Sequence, residues 1–493
     1  MIPLSLFSLH LMSENMLLLA SLLVFAAIMI TKVGSKLGAP SLLFFLILGM
    51  AVGADGLGLK FEDYDMAESI GHFAMTIILF SAGLETSLEE TKPIFKQGAL
   101  LSTVGVLITV ALTGVFIWLF EGRTGGRLMS CFLLAAVMGS TDSASVFSIL
   151  REKRLHLKEN LGPMLELESG SNDPMAYMLT ITLVNYFSDK GLHFSGPAGM
   201  VLSGILVLLI QIAVGIAVGF AVGYAAKYLL EKVQFPSFAL TSILILSIGF
   251  FTNGIATILH GNGLLALYLA AIIIGNKVKL KDRKEMLHFF DGLTWLMQLV
   301  MFLMLGLLAR PSGMVHVLVP ALLIGAFMFL VARPASVFIS LLPFRKMSFR
   351  AKTYVSWVGL KGAGPILFAL CPVVAGLENS SEMFNIVFII TLLSLMIRGT
   401  SLGSMARWLN LSYMEDPKPE TFGMDIPEEM GMMRDHVVTE EDLAGGATLR
   451  DLHLPHGIRV MMVRRGERFL VPHGSMVLEA GDHLVIIIGE SDD

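Results

Sequence analysis

The sequence predicts an all-α polytopic membrane protein of about thirteen transmembrane helices with inverted repeats, followed by a small α/β, mainly β-rich, domain on the cytoplasmic side. Three observations carry this. Of 493 residues, 55% are hydrophobic and 15% charged, against roughly 25% charged in an ordinary soluble domain. Runs of about 20 mostly apolar residues, enough to cross roughly 30 Å of hydrocarbon, recur from Met16 to Arg407. Beyond Arg407 the pattern changes to short β-rich segments broken by glycine.

The hydrophobic runs fall near 16–31, 40–54, 68–87, 97–120, 127–150, 162–187, 199–230, 238–260, 263–276, 288–309, 315–341, 351–376 and 383–407. The first reads as a helix and not as a cleaved signal, because no basic stretch precedes it and Lys32 and Lys36 follow it. Basic residues then set the orientation, since cytoplasmic loops carry the excess of Lys and Arg. With the N-terminus outside, the inner loops hold clusters such as Arg151, Lys153, Arg154 and Lys158, or Lys277, Lys279, Lys281, Arg283 and Lys284. The outer loops hold only Lys60, Arg123, Arg127, Lys190 and Arg310. This places the C-terminus in the cytoplasm. Cys131 and Cys371 both sit in hydrophobic runs as packing residues, so no disulfide framework is expected. A net charge of −5 without a long basic block argues against nucleic acid.

The domain boundaries follow: 1–410 in the membrane, 411–433 as a linker containing Pro417 and Pro419, and 434–493 as the cytoplasmic domain. Strands are expected at Ile458–Val463, Arg468–Val471 and His483–Ile488. The domain is too small for a Rossmann unit and has no G-x-G-x-x-G.

Polar residues inside the runs carry the functional signal, since a charge at mid-bilayer costs at least ~2.5 kcal/mol and marks an ion or proton path. The fifth run contains Gly139-Ser140-Thr141-Asp142-Ser143, and the twelfth contains Gly359-Leu360-Lys361-Gly362-Ala363-Gly364-Pro365. Glycine and proline there break the helical ladder. If runs 1–6 and 8–13 are repeats, the fifth and twelfth correspond, and the odd offset makes the repeats inverted, an arrangement that puts broken helices at a binding site. The simpler reading is close helix packing by small residues.

The sixth run holds Glu166, Glu168, Ser169, Asn172 and Asp173. Ser169 and Asp173 share one helical face, and Glu168 and Asn172 share a second. One face can line a cavity while the other is locked to a neighbour. Arg333, in the eleventh run, suits Glu168, because an unpaired buried charge is costly. Asp173 is then the carboxylate left to hold either a proton or a cation. Asp142 is open to two readings, as a titrating group or as compensation for backbone dipoles at the break. Lys361 either neutralises carbonyl ends or pairs with Asp142.

GSTDSASV, ESGSND, VARPASV and WVGLKGAGP together resemble the bacterial monovalent cation:proton antiporters of the sodium/proton exchanger superfamily, over about 16–407. The resemblance implies a thirteen-helix homodimer in the bacterial inner membrane, with a mobile core and crossed broken helices. It implies that Asp173 binds ion and proton, Asn172 is its partner, and Ser169 and the Thr141 region, with Asp142, lie at the cation site. Glu168 and Arg333 become the stabilising pair, and Lys361, Gly362 and Gly364 form the crossing. Members with ND at this position are generally electroneutral. Departures are Thr141-Asp142-Ser143 for the family's TDP and Lys361 for the Arg of GLRG; a carboxylate some relatives carry near the third run is Ser81 here, with Glu85 four residues on.

Residues 434–489 resemble the TrkA-C regulatory domain, which implies K⁺ over Na⁺ and an unidentified regulatory ligand in the tail. Some such antiporters continue into a further domain, so the ending is compatible with truncation. No resident cofactor and no enzymatic activity are expected; the partners are the cation, the proton, the bilayer and a second copy. The rival readings are a Na⁺/H⁺ antiporter of the same fold, a tail-gated cation channel, which lacks a TVGYG-like filter, and an intramembrane hydrolase with an Asp142–Asp173 dyad.

Overall fold

A computed structural model describes residues 13–37, 40–120, 128–153, 155–188, 196–233, 237–278, 283–414, 433–440, 442–443, 446–452, 458–466 and 468–488. The chain divides into two compact units, Met1–Tyr413 and Met414–Asp493.

The first unit is helical. Its elements are α1 (Ser13–Leu37), α2 (Ser41–Val52), α3 (Tyr64–Glu85), α4 (Leu88–Phe120), α5 (Leu128–Val137), α6 (Ser143–Glu152) and α7 (Leu161–Phe187). After them come α8 (Gly196–Lys232), α9 (Phe238–Ile258), α10 (Gly263–Lys277), α11 (Arg283–Leu308), α12 (Pro311–Ser340), α13 (Phe349–Val358), α14 (Ala363–Val374) and α15 (Ser380–Trp408). Among the described residues, seven helices are long and apolar enough to cross a membrane, and the pair α13–α14, bent by 47°, adds an eighth span. Shorter apolar helices, including α2, α5 and α10, occupy other predicted runs.

Side-chain caps explain several starts. Asp63 accepts from the Met66 N–H at the head of α3, and Asn262 accepts from the Leu265 N–H at the head of α10. The helix of the fourth run begins at Leu88, nine residues before its apolar stretch, because Ser87 accepts from the Glu90 N–H and Glu89 and Glu90 complement the helix dipole. Wide π turns interrupt three helices, at Leu101–Gly105 in α4, Met328–Ala332 in α12 and Ser394–Gly399 in α15. The Ser336 hydroxyl of α12 donates to the Gly105 carbonyl at 2.6 Å, so one wide turn is satisfied across a helix boundary.

Two apolar cores flank the polar centre. One draws on α2, α3, α11, α12, α14 and α15, and the other on α3, α4, α7, α10, α11 and α13. A short pairing of β1 (Leu155–Leu157) with β2 (Ser412–Met414) closes the chain back beside the start of α7.

The second unit is a four-stranded antiparallel sheet of β3 (Met433–Val437), β4 (Ile458–Arg465), β5 (Arg468–Leu470) and β6 (His483–Ile488), in the order β3-β6-β4-β5. Strand β4 runs two residues past the predicted end because the turn falls at Gly466, whose φ of 58° suits glycine. Strand β3 begins on the last residue assigned to the linker. Val438, Leu452, Val463, Leu478, Leu484 and Ile486 form its core.

Candidate functional site

The fifth hydrophobic run is not one helix. It stops at Val137, passes through residues 138–142 and resumes at Ser143; the twelfth stops at Val358 and resumes at Ala363. The two interruptions touch, for the Asp142 N–H donates to the Leu360 carbonyl at 2.9 Å. Glycine permits the approach: a Cβ on Gly362 would lie 2.0 Å from Asp142 Oδ2, and one on Gly364 would lie 2.9 Å from Ser140 Oγ and 3.7 Å from Asp173 Oδ1.

Four half-helix ends converge, and three of them meet a group of opposite sign. Asp142 accepts from the N–H and the hydroxyl of Ser145, in the first turn of α6. Lys361 Nζ donates to the Ser140 carbonyl, beyond the C-terminal end of α5, at 2.6 Å. Arg398, from the wide turn of α15, donates to the Gly359 carbonyl, beyond the C-terminal end of α13, at 2.6 Å and to the Phe329 carbonyl at 3.2 Å. Its guanidinium lies over the Phe329 ring at 4.2 Å. Arg398 is a residue that reasoning from sequence misses; the signal for it is a charge in the interior of the thirteenth run.

Helix α7 supplies the remaining polar atoms. The Ser140 hydroxyl donates to Asp173 Oδ1. Asn172 accepts from the Thr141 N–H at 3.3 Å and donates to the Thr141 hydroxyl at 2.5 Å. The Ser169 hydroxyl donates to the Thr141 carbonyl at 2.7 Å and accepts from the Ser143 N–H at 2.9 Å. Glu168 and Arg333 form a buried ion pair at 2.5 Å. The two faces of α7 therefore do not separate as their spacing suggests. Ser169 and Asn172 both turn to the break, because its unpaired backbone groups need partners in a place without water. Asp173 stays partly exposed, while Asn172 is buried. Pro174 follows it and has no N–H to offer the Gly170 carbonyl one turn back.

This donor set suits a monovalent cation: the Asp173 carboxylate, the Ser140 and Thr141 hydroxyls and neighbouring carbonyl oxygens are hard oxygen ligands around one negative charge. Among the described residues there is no group of three or more His, Cys, Asp or Glu side chains able to hold a metal ion.

A polytopic helical protein whose two interrupted helices meet beside a partly exposed carboxylate within the membrane unit has the architecture of a secondary transporter. Residues 22–408 match the family model described as sodium/hydrogen exchanger, transmembrane, and residues 433–492 match the TrkA-C domain. The chain belongs to the sodium/hydrogen exchanger family. The K(+)/H(+) antiporter NhaP2 of Shewanella oneidensis is 36% identical over 478 residues, spanning 96% of this chain and 81% of that protein. The K(+)/H(+) antiporter NhaP of Alkalimonas amylolytica is 35% identical over 486 residues, with 97% and 81% covered. The solved sodium proton antiporter MjNhaP1 from Methanocaldococcus jannaschii at pH 8 superposes with a TM-score of 0.67 at 21% identity, covering 80% of this chain and 99% of that one, a likeness of fold.

Proposed function

We propose that the protein is an electroneutral monovalent cation/proton antiporter, exchanging K⁺ for H⁺ by alternating access, with both ligands competing for Asp173. The observation that carries this reading is the position of Asp173: partly exposed, bonded by Ser140 and set against two touching helix breaks, while the other deep carboxylate of α7, Glu168, is held by Arg333. One acid group that binds either ligand but rarely neither gives the coupling that exchange requires.

In the cycle, cytoplasmic K⁺ binds the Asp173 carboxylate with the Ser140 and Thr141 oxygens beside it. The core moves, the ion leaves outside, and a proton taken up by the same carboxylate accompanies the return. Asn172 and Ser169 hold the break in register, and the Glu168–Arg333 pair fixes α7 to α12. The protein works as a homodimer in a bacterial inner membrane, with its tail in the cytoplasm, and catalyses no covalent chemistry. The tail, covering residues 434–493, biases the cycle through a small ligand or a contact between copies. Relatives bearing K⁺/H⁺ antiporter names across nearly the whole chain support K⁺, and a more distant one named probable Na(+)/H(+) antiporter 2 keeps Na⁺ as the alternative cargo.

The test is proton flux in reconstituted vesicles under K⁺, Na⁺ or Li⁺ gradients, comparing the parent with Asp173→Asn. The variant is expected to lose exchange with every cation. Robust exchange by Asp173→Asn removes the mechanism, and a Na⁺ response exceeding the K⁺ response reverses the choice of cargo.

A further inference from the structure

A second polar path lies beyond Asp173, on the side away from the basic loops. One turn along α7 from Asp173 stands Tyr177, partly exposed like Asp173 itself. Its ring lies 5.5 Å from the His72 imidazole of α3 and 5.5 Å from Phe368 of α14. His72 Nε2 is 3.5 Å from the Asn253 amide nitrogen of α9, and that nitrogen also donates to the Thr76 hydroxyl at 3.0 Å. One turn back along α3, towards its start, stands Glu68, partly exposed as well. An imidazole and a carboxylate on one face of α3 thus lead from the end of the helix to the turn before Asp173. His72 sits about 12 Å along α3 from Tyr64, where packing alone would favour an apolar residue.

We infer that Glu68, His72 and Tyr177 form the outer proton route to Asp173, with His72 as the relay group. The inference rests on the exchange reading above and assigns the path on one side of it. The imidazole is the one side chain whose ordinary range lies between pH 5 and 8, so it can load and unload under working conditions. The Asn253 amide directs hydrogen at Nε2, which leaves the neutral ring protonated on Nδ1. A proton from the outer solution, collected at the Glu68 carboxylate, adds to Nε2 and makes the ring an imidazolium, the Asn253 amide then donating to the Thr76 hydroxyl alone. The same proton then passes along the Tyr177 hydroxyl to the Asp173 carboxylate, and His72 returns to neutral with charge conserved. The groups that face His72 are Thr76 of its own helix, Tyr177 of α7 and Asn253 of α9, with Glu68 one turn back along α3 and Asp173 one turn beyond Tyr177, where Lys361 is held on the Ser140 carbonyl.

The experiment titrates pH on one side at a time, in right-side-out and in everted membrane vesicles holding the full chain, with proton flux followed under a fixed K⁺ gradient. For His72→Gln, the outer proton concentration giving half-maximal exchange is expected to rise about a hundredfold, about two pH units towards acid, the lower end of what a positioned proton donor contributes. The inner half-saturation point stays in place. Glu68→Gln is expected to move the outer point the same way by less, and it decides the matter if His72→Gln is not recovered folded. An outer profile that does not move overturns the relay, as does a uniform loss of rate at every pH on both sides, which is what a structural role would give. A parent with no cation-dependent proton flux overturns the exchange reading itself.

Discussion

The two units handle the same chemistry in different surroundings. In the membrane unit, the Glu168–Arg333 pair is closed off, with side chains 2% and 6% exposed. In the tail, Arg465 grips Asp482 with two bonds of 2.9 and 2.7 Å, yet the arginine stays 33% exposed while the aspartate is 1% exposed. A third pair, Arg310–Glu62, joins the start of α12 to the loop before α3 with both partners about half exposed. Burial decides what each is worth: removing one partner of a closed pair strands a charge where nothing solvates it, whereas water takes over the role at an open one.

Glu168→Gln should therefore be the most damaging of the charge removals, at about 3–5 kcal/mol of stability, and Glu168→Gln with Arg333→Gln should recover part of it. Thermal unfolding in detergent measures both; if the double variant is no better than the single one, the pair has further partners. Gly362→Ala comes next, at about 1–3 kcal/mol, because the new methyl collides with the Asp142 carboxylate and must part the two breaks. Exchange should fall with it, and a variant that transports normally would show that the crossing is looser than its contacts imply.

In the tail, Asp482→Asn should cost about 1–2 kcal/mol, read as faster hydrogen exchange in β4 and β6, with exchange in the α-helices unchanged. The Asp482 carboxyl is held below its usual range: burial opposes this, but the Arg465 fork and the Glu479 N–H outweigh it. A lowered folded-state value means that the contribution is complete above the ordinary aspartate range near ~3.9 and is lost as pH falls through the lowered value. The parent should thus lose protection on acidification, and Asp482→Asn should be flatter over that range. Smallest is Glu62→Gln, at about 0.2–1 kcal/mol and sensitive to salt. A larger loss there would mean that exposure is a poor guide to these pairs.

Much of the fold is legible in the sequence alone, because hydrocarbon demands long apolar runs and leaves the ends charged. The interruptions are legible for the same reason: Gly-Ser-Thr-Asp and Gly-Leu-Lys-Gly-Ala-Gly-Pro cannot continue a helix within such runs. Side-chain direction is not. Spacing puts Ser169 with Asp173, but the demand of orphaned backbone at Thr141 and Ser143 turns Ser169 inward, and that demand depends on where the break sits in space. Arg398 escapes notice because its partners are the Gly359 and Phe329 carbonyls and an aromatic face, none of which a search for a complementary charge would find. Strand β3 is missed because Met-Arg-Asp-His-Val has little apolar content and is specified by its neighbour β6.

The cationic groups on the two carbonyl ends have a kinetic meaning. Lys361 and Arg398 are bolted to main-chain atoms, so the countercharge belongs to the machine and need not be borrowed from either solution. In the proposed cycle, a cargo-holder built in this way swings between two baths without dragging a second ion along.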